Sequence, residues 1–236
     1  MEEIFSRTAD LIGEKALKSL HNATVAVVGL GGVGGSVAEA LLRAGIGTLI
    51  LMDHDVVAET NINRQTFATV GAIGEKKCVA AAKRLSAIHN ESELVTVDLF
   101  YSNETSEYLF ALKPDFIVDA IDTVTSKLSL IATAKAKNVP IISCMGAGNR
   151  LDPTKFYIGD ISETKGCGCG LARVMRRELR KREISLLPVV YSKETPRNVL
   201  SDTENGRHAP GSISFCPPVA GNILASYVVQ QIMEDC

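Results

Sequence analysis

Residues 24–28 (Thr-Val-Ala-Val-Val) run without interruption into Gly29-Leu30-Gly31-Gly32-Val33-Gly34, and residues 33–44 continue with helical periodicity. A continuous β-rich apolar run predicts a strand buried on both faces. Gly29, Gly31, Gly32 and Gly34 then permit a tight turn, close backbone approach to a ligand, and close packing of the next helix on the strand. The N–H groups at the start of that helix are free to meet an anion. Strand, glycine loop and helix in this order predict a Rossmann-type unit.

The rest of the chain extends that unit. Residues 5–20 have helical periodicity, with Leu11, Ile12, Ala16 and Leu20 on one side. Strands are expected at 48–52, 94–98, 115–120 and 140–144, with helices at 75–88, 103–112 and 124–137. Strands alternating with helices of this length imply a mainly parallel sheet covered on both faces, an α/β fold. From Asn149 onward Asp152-Pro153, the glycines of 166–170, Thr195-Pro196 and Ala209-Pro210-Gly211 cut the chain into shorter pieces. Here we expect strands near 155–159 and 187–191, helices near 171–183 and 218–233, and a mobile polar loop at 192–208. The expected organisation is a nucleotide-binding region at 1–148 and a mixed C-terminal subdomain at 149–236 of the same domain.

Composition narrows the classes. A net charge of −2 excludes a generally basic nucleic-acid protein and leaves room for a local basic patch. Residues 1–12 carry acids and an Arg where a signal segment would be apolar. The uncharged stretch 212–233 contains Pro217-Pro218, Gly221, Asn222 and Gln230-Gln231, so it reads as a strand end and a buried helix, not a membrane span. The cysteines at 78, 144, 167, 169, 216 and 236 form no C-x-x-C pair. Reduced thiols and a cytoplasmic location are the expectation.

Asp53, with Asp55 two residues on, ends the second strand, where a carboxylate can accept hydrogen bonds from ribose hydroxyls. The loop and this acid leave NAD, FAD and ATP open. Asn61, Asn63, Arg64 and Gln65 follow, then Lys77, and Asp122 comes after the strand at 115–120. Hydride transfer needs no extra cations beside the phosphates. A site that joins a carboxylate to an α-phosphate must neutralise charge as pyrophosphate leaves, which suits Arg64 and Lys77. Asp122 is the candidate ligand of a Mg²⁺ on the phosphates.

This ordered set resembles the ubiquitin-activating superfamily, which includes bacterial enzymes that adenylate the C-terminus of a small sulfur-carrier protein. Its pattern of G-x-G-G-x-G, D-x-D, N-x-x-R-Q, a Lys and a later Asp is matched at 29–34, 53/55, 61–65, 77 and 122. The resemblance implies ATP and Mg²⁺ as ligands and a homodimer. It also implies that Arg7, in Phe5-Ser6-Arg7-Thr8, acts on the partner subunit's nucleotide. The sulfur-carrier enzymes usually carry two C-x-x-C pairs for zinc, whereas this chain has only Cys167-Gly168-Cys169.

Residues 171–180, Val189-Val190-Tyr191-Ser192, Glu194-Thr195-Pro196 and Gly211-Ser212-Ile213-Ser214-Phe215 are similar to another branch, the tRNA threonylcarbamoyladenosine dehydratases. That branch activates the threonyl carboxylate of a modified adenosine in tRNA with ATP, and the activated group cyclises. The chain departs from it at Cys169-Gly170, where an Asp-Pro is expected. Independently, Arg173, Arg176, Arg177 and Arg180 recur at helical spacing, and residues 171–183 carry about +4. This basic face is the candidate tRNA-binding surface.

Cyclisation supplies its own nucleophile, so no catalytic cysteine is expected. Cys167 and Cys169 are nevertheless the most exposed-looking thiols, while Cys78 and Cys144 read as core residues. His54 should point away from its flanking acids if strand alternation holds. A monovalent cation and a sulfur-relay or desulfurase protein are further candidate partners that the residues do not place. The rival readings are a sulfur-carrier adenylase, an NAD-dependent oxidoreductase and a non-catalytic tRNA-binding module.

Overall fold

The computed structural model describes residues 3–197, 203–204, 207–208 and 210–234, with backbone alone at 203–204 and 207–208. The expected N-terminal helix is two helices, α1 (Ser6–Ile12) and α2 (Glu14–Asn22). They break at Gly13, whose φ of 84° and ψ of 154° lie where only glycine sits without strain. The break rotates α1, so Leu11 is 83% exposed instead of joining Leu20 in the core. Phe5 anchors the start of α1 by edge-on contacts with His21 and His89.

The chain then builds β1 (Thr24–Val28), α3 (Gly32–Ala44), β2 (Thr48–Met52), α4 (Lys77–Ser86), β3 (Glu93–Val97), α5 (Ser106–Phe110) and β4 (Phe116–Asp119). After these come α6 (Val124–Ala136), β5 (Ile141–Cys144), β6 (Phe156–Asp160), α7 (Gly170–Lys181) and β7 (Pro188–Ser192). The seven strands lie in the order β3-β2-β1-β4-β5-β7-β6. Only β6 runs antiparallel, opposite β7 at one edge. The C-terminal region therefore continues the sheet of the first 148 residues, with β7 in parallel register on β5.

Alternation along β1 divides the core. Val25 and Val27 pack with Val37 and Leu41 of α3 and Leu224 of α8 (Cys216–Glu234), while Ala26 and Val28 join Leu130 and Ile131 of α6 and Met175 of α7. A Cβ on Gly221 would lie 2.5 Å from the Val33 carbonyl oxygen, so α8 can lie along α3 only with glycine there. The segment before α8 is coil, which corrects the expected strand end. Pro217 and Pro218 suit the first turn of a helix, where no N–H is needed. No helix among the described residues is long and apolar enough to cross a membrane.

The polar stretch 192–208 is only partly open to comparison. Ser192 closes β7, and β8 (Thr203–Glu204) pairs with β9 (Arg207–His208) in a short antiparallel ladder. Residues 198–202 and 205–206, part of the loop expected to be mobile, lie outside the described residues, as does Cys236.

Candidate functional site

Connections from β1 leave toward β2 and those from β4 toward β5, on opposite sides of the sheet. The strand order therefore reverses between β1 and β4, and a crevice opens beyond their carboxyl ends, the general ligand position in such sheets. A cavity of about 370 Å³ lies there. The glycine loop forms one wall. Gly29 has φ +90°, and a Cβ on it would lie 2.8 Å from the Ala120 carbonyl oxygen, so the loop passes tightly against the end of β4. No side chain caps α3 at its N-terminus, and Gly31, Gly32 and Val33 line the cavity. The N–H groups of that first turn have no side-chain cap and could meet an anion.

Asp53 is buried at the end of β2. One carboxylate oxygen accepts the Leu30 N–H at 2.6 Å and the other the Asp55 N–H at 2.8 Å. Asp53 thus ties the glycine loop to β2, and each oxygen keeps a further lone pair for a ligand. Lys77 opens α4 and is almost buried, with its ammonium 2.6 Å from Asp55. Partial burial pushes the Asp55 carboxyl up, but the hydrogen bond and charge of Lys77, with His54 and Lys76 nearby, hold it below its ordinary value.

A prediction with a definite sign follows from this pair. A lowered folded-state pKa contributes stability that is fully present above the ordinary value of 3.8 and is lost as pH falls through the folded value. Thermal melts of an Asp55→Asn variant between pH 5 and pH 2 should therefore show a shallower acid loss than the parent. Equal slopes would mean that the pair does not respond to acid.

Arg64 lines the cavity, and its guanidinium donates to the Thr60 carbonyl at 2.9 Å and to the Asn63 carboxamide oxygen at 2.8 Å. Gln65 lies over Gly31. Asp122 is exposed at the rim and has no ion pair among the described residues. Of the sequence-predicted set, the structure gathers Gly29, Gly31, Gly32, Asp53, Asp55, Arg64, Gln65, Lys77 and Asp122 around one space. Gly34, Asn61, Asn63 and Arg7 are not in the lining. Gly34 lies beneath the loop, and Asn61 accepts the Ala58 N–H in the turn that delivers Arg64. Asn63 braces Arg64, and Arg7 is exposed on α1.

Several lining residues were not assigned to the site from the sequence. His54 lies beyond the last paired residue of β2, so strand alternation does not govern it; its ring turns to Asp55 at 3.2 Å and packs edge-on against Phe100. Phe100, Leu99 and Ile121 give the cavity an apolar wall, Gly148 enters from the segment after β5, and Ser212 and Pro217 enter from the C-terminal part. Beneath the rim, Lys127 and Asp119 form a fully buried ion pair at 2.9 Å. Its sequence signal is a lysine followed directly by the apolar positions 128, 130 and 131 of a helix.

Among the described residues, four of the five thiols are buried. Burial pushes Cys144 up to about 12 and also raises Cys78 and Cys216. Contrary to its exposed-looking loop, Cys167 is only 8% accessible, and the Cys169 sulfur accepts the Ala172 N–H as the cap of α7. On α7 itself Ala172, Met175 and Leu179 are buried, while Arg173, Arg177 and Arg180 are exposed. Arg176 donates to the Thr164 hydroxyl at 2.6 Å. Hydrogen bonds from Lys181 and Arg177, with Arg182, lower Glu178 to about 2. Among the described residues Arg173 and Arg180 pair with no acid.

The sequence model of the ThiF family matches residues 5–235. The chain belongs to the ThiF family. Within this family it is 39% identical over 243 aligned positions to the tRNA threonylcarbamoyladenosine dehydratase of Bacillus subtilis, covering 98% of this chain and 95% of that protein. The crystal structure of the Escherichia coli tRNA N6-threonylcarbamoyladenosine dehydratase TcdA in complex with AMP superposes with a TM-score of 0.90 at 31% identity, covering 99% of this chain and 95% of the other. Its complex with ATP gives a TM-score of 0.89 with the same coverage. A shorter match, 32% identical over 150 positions, is to the Escherichia coli molybdopterin-synthase adenylyltransferase, covering 64% of this chain and 58% of that one.

Proposed function

We propose that this ThiF-family chain is an ATP-dependent dehydratase that cyclises threonylcarbamoyladenosine in tRNA through a carboxyl-adenylate. One observation carries the reading. An uncapped helix N-terminus, Arg64, Lys77 and an Asp122 that has no ion pair among the described residues surround one cavity, in a chain similar over nearly its whole length to enzymes of that name.

The chemistry follows from the charges. The phosphates of ATP lie along the glycine loop and the first turn of α3, with the ribose on the free lone pairs of Asp53. Asp122 offers a hard oxygen ligand, and a bound Mg²⁺ would neutralise phosphate charge there. A substrate carboxylate oxygen attacks the α-phosphorus and pyrophosphate leaves. Arg64 and Lys77 stabilise the charge that moves toward the leaving group, and Asp55 holds the Lys77 ammonium in place. A nucleophile of the substrate itself then attacks the acyl carbon, and AMP departs with the carboxylate oxygen. The sum is loss of one water from the nucleoside, with no enzyme thiol required.

We assign the region from 149 onward, and Arg173, Arg176, Arg177 and Arg180 on α7, to the tRNA. We further assign Arg7 to the nucleotide of a second copy in a homodimer, acting in the cytoplasm. Replacing both Arg173 and Arg180 with Ala should weaken tRNA binding and reduce the slope of log affinity against log salt by about 2, roughly one per lost phosphate contact. An unchanged salt slope in filter binding would remove these residues from the interface.

The function itself is tested by AMP release from ATP and Mg²⁺ with tRNA that carries threonylcarbamoyladenosine, against the same tRNA lacking it. Release only with the modified tRNA supports the reading. Release instead with the C-terminus of a ubiquitin-like protein would replace it by sulfur-carrier adenylation.

A further inference from the structure

We infer that Lys127 is a positioning residue of the nucleotide site, holding residues 120–122 in the form that closes the cavity opposite the glycine loop. The inference rests on the adenylation reading above.

Lys127 and Asp119 are both wholly inaccessible to solvent. The Lys127 ammonium reaches the Asp119 carboxylate at 2.9 Å and donates to the Ile121 carbonyl at 3.0 Å. The other Asp119 oxygen accepts the Ile121 N–H at 3.1 Å, and the Ser143 hydroxyl on β5 donates to the first at 2.5 Å. Both backbone groups of Ile121 are therefore held by this one pair. Ala120 still donates to the Val28 carbonyl of β1 at 2.9 Å, but at Ile121 the chain leaves the sheet and the buried pair takes the place of a ladder partner.

A buried ion pair is a poor source of stability, because apolar residues of equal volume often serve as well. A lysine and an aspartate can do here what apolar residues cannot, which is grip a carbonyl and an N–H of the same residue. That residue sits between two others of the site. Ala120 faces Gly29 closely enough to demand glycine there, and Asp122 follows at the rim. Lys127 lies in the first turn of α6, so the helix reaches back to fix the segment that precedes it. Freed of this grip, residues 120–122 would shift and carry Asp122 away from the phosphates.

Lys127→Met alone leaves an uncompensated buried carboxylate, so the informative protein is the neutral pair Lys127→Met/Asp119→Asn. The asparagine keeps volume and the acceptor for the Ile121 N–H. AMP formation is measured with modified tRNA across a Mg²⁺ titration, beside a thermal melt. The expected result is a folded protein whose kcat falls on the order of 10- to 100-fold, as for a small misplacement of a reacting group. Its half-saturating Mg²⁺ should rise, while tRNA binding stays at the parent value. A folded neutral pair with parental kcat and Mg²⁺ dependence would overturn the inference. If the pair does not fold, Lys127→Gln/Asp119→Asn decides, since it is also neutral, keeps polar groups at both positions and shortens the reach to the Ile121 carbonyl. A fall of kcat with raised Mg²⁺ demand supports the role, and parental values for both overturn it. Asp122→Asn is run alongside. Parental activity there would count against the site reading itself, whereas loss there with parental Lys127 variants would defeat only this inference.

Discussion

An Arg64→Ala enzyme should form AMP on the order of 10²- to 10³-fold more slowly than the parent, the scale of loss for one donor aimed at transition-state charge. ATP affinity should move far less. The asymmetry has a structural source. The Arg64 guanidinium is already held by the Thr60 carbonyl and the Asn63 side chain, at the wall of the cavity, before any substrate arrives. A group fixed in advance costs no reorganisation when charge develops on the leaving pyrophosphate. In the proposed site the phosphates rest chiefly on the helix terminus and loop, which the substitution leaves intact. Arg64→Lys should recover only part of the rate, because a lysine lacks the planar fork that lets arginine serve the anion while bonded to its own supports. Single-turnover AMP formation measures this directly. A full rate in Arg64→Ala would remove the residue from the chemistry.

The second large effect is expected at Gly34. An added Cβ there would lie 1.7 Å from the Gly29 carbonyl oxygen and 3.2 Å from the Ala120 side chain, so backbone must move. Gly34→Ala should destabilise the fold by roughly 3 kcal/mol, a melting-temperature loss of about 6–12 °C for a domain of this size. ATP binding should be lost with it, since α3 can no longer approach the loop whose phosphates it receives. Gly31→Ala is the control. Its Cβ would meet only the Gln65 side chain at 3.8 Å, and its backbone is in an ordinary region. Calorimetry should place Gly31→Ala near the parent and Gly34→Ala well below it. Similar melting temperatures would show that the loop is not under the packing constraint described here.

What could be read from the chain was local, or carried by a long motif. The run 24–34 specifies strand, turn and helix within a dozen residues, and Asp53 stands one step past the next strand. Asn61, Arg64, Gln65, Lys77 and Asp122 became legible as an ordered set, and the cavity gathers four of them, Arg64, Gln65, Lys77 and Asp122, from separate parts of the chain. The misreadings came where a periodicity was carried too far. The helical pattern at 5–20 runs through Gly13, where the backbone leaves the helix, and Leu11 therefore faces solvent. Alternation along β2 ends at Met52, which is why His54 turned out to face Asp55. Cys167 lies in a glycine-rich loop, but that loop folds inward against the Arg150 side chain. Lys127 could not be assigned from spacing, because its meaning depends on Asp119 and Ser143 arriving from two adjacent strands. The same holds for Gly148, Ser212 and Pro217, which reach the cavity only through tertiary packing.

The central claim is that a substrate carboxylate is adenylated and then lost as AMP with one of its oxygens. The most direct measurement uses tRNA whose threonylcarbamoyl carboxylate carries heavy oxygen, turned over with ATP and Mg²⁺, with both products weighed by mass spectrometry. The account predicts a nucleoside lighter by one labelled water and AMP that carries one heavy oxygen. Unlabelled AMP beside an unchanged nucleoside would contradict it, since ATP would then be cleaved by water and not by the modified tRNA.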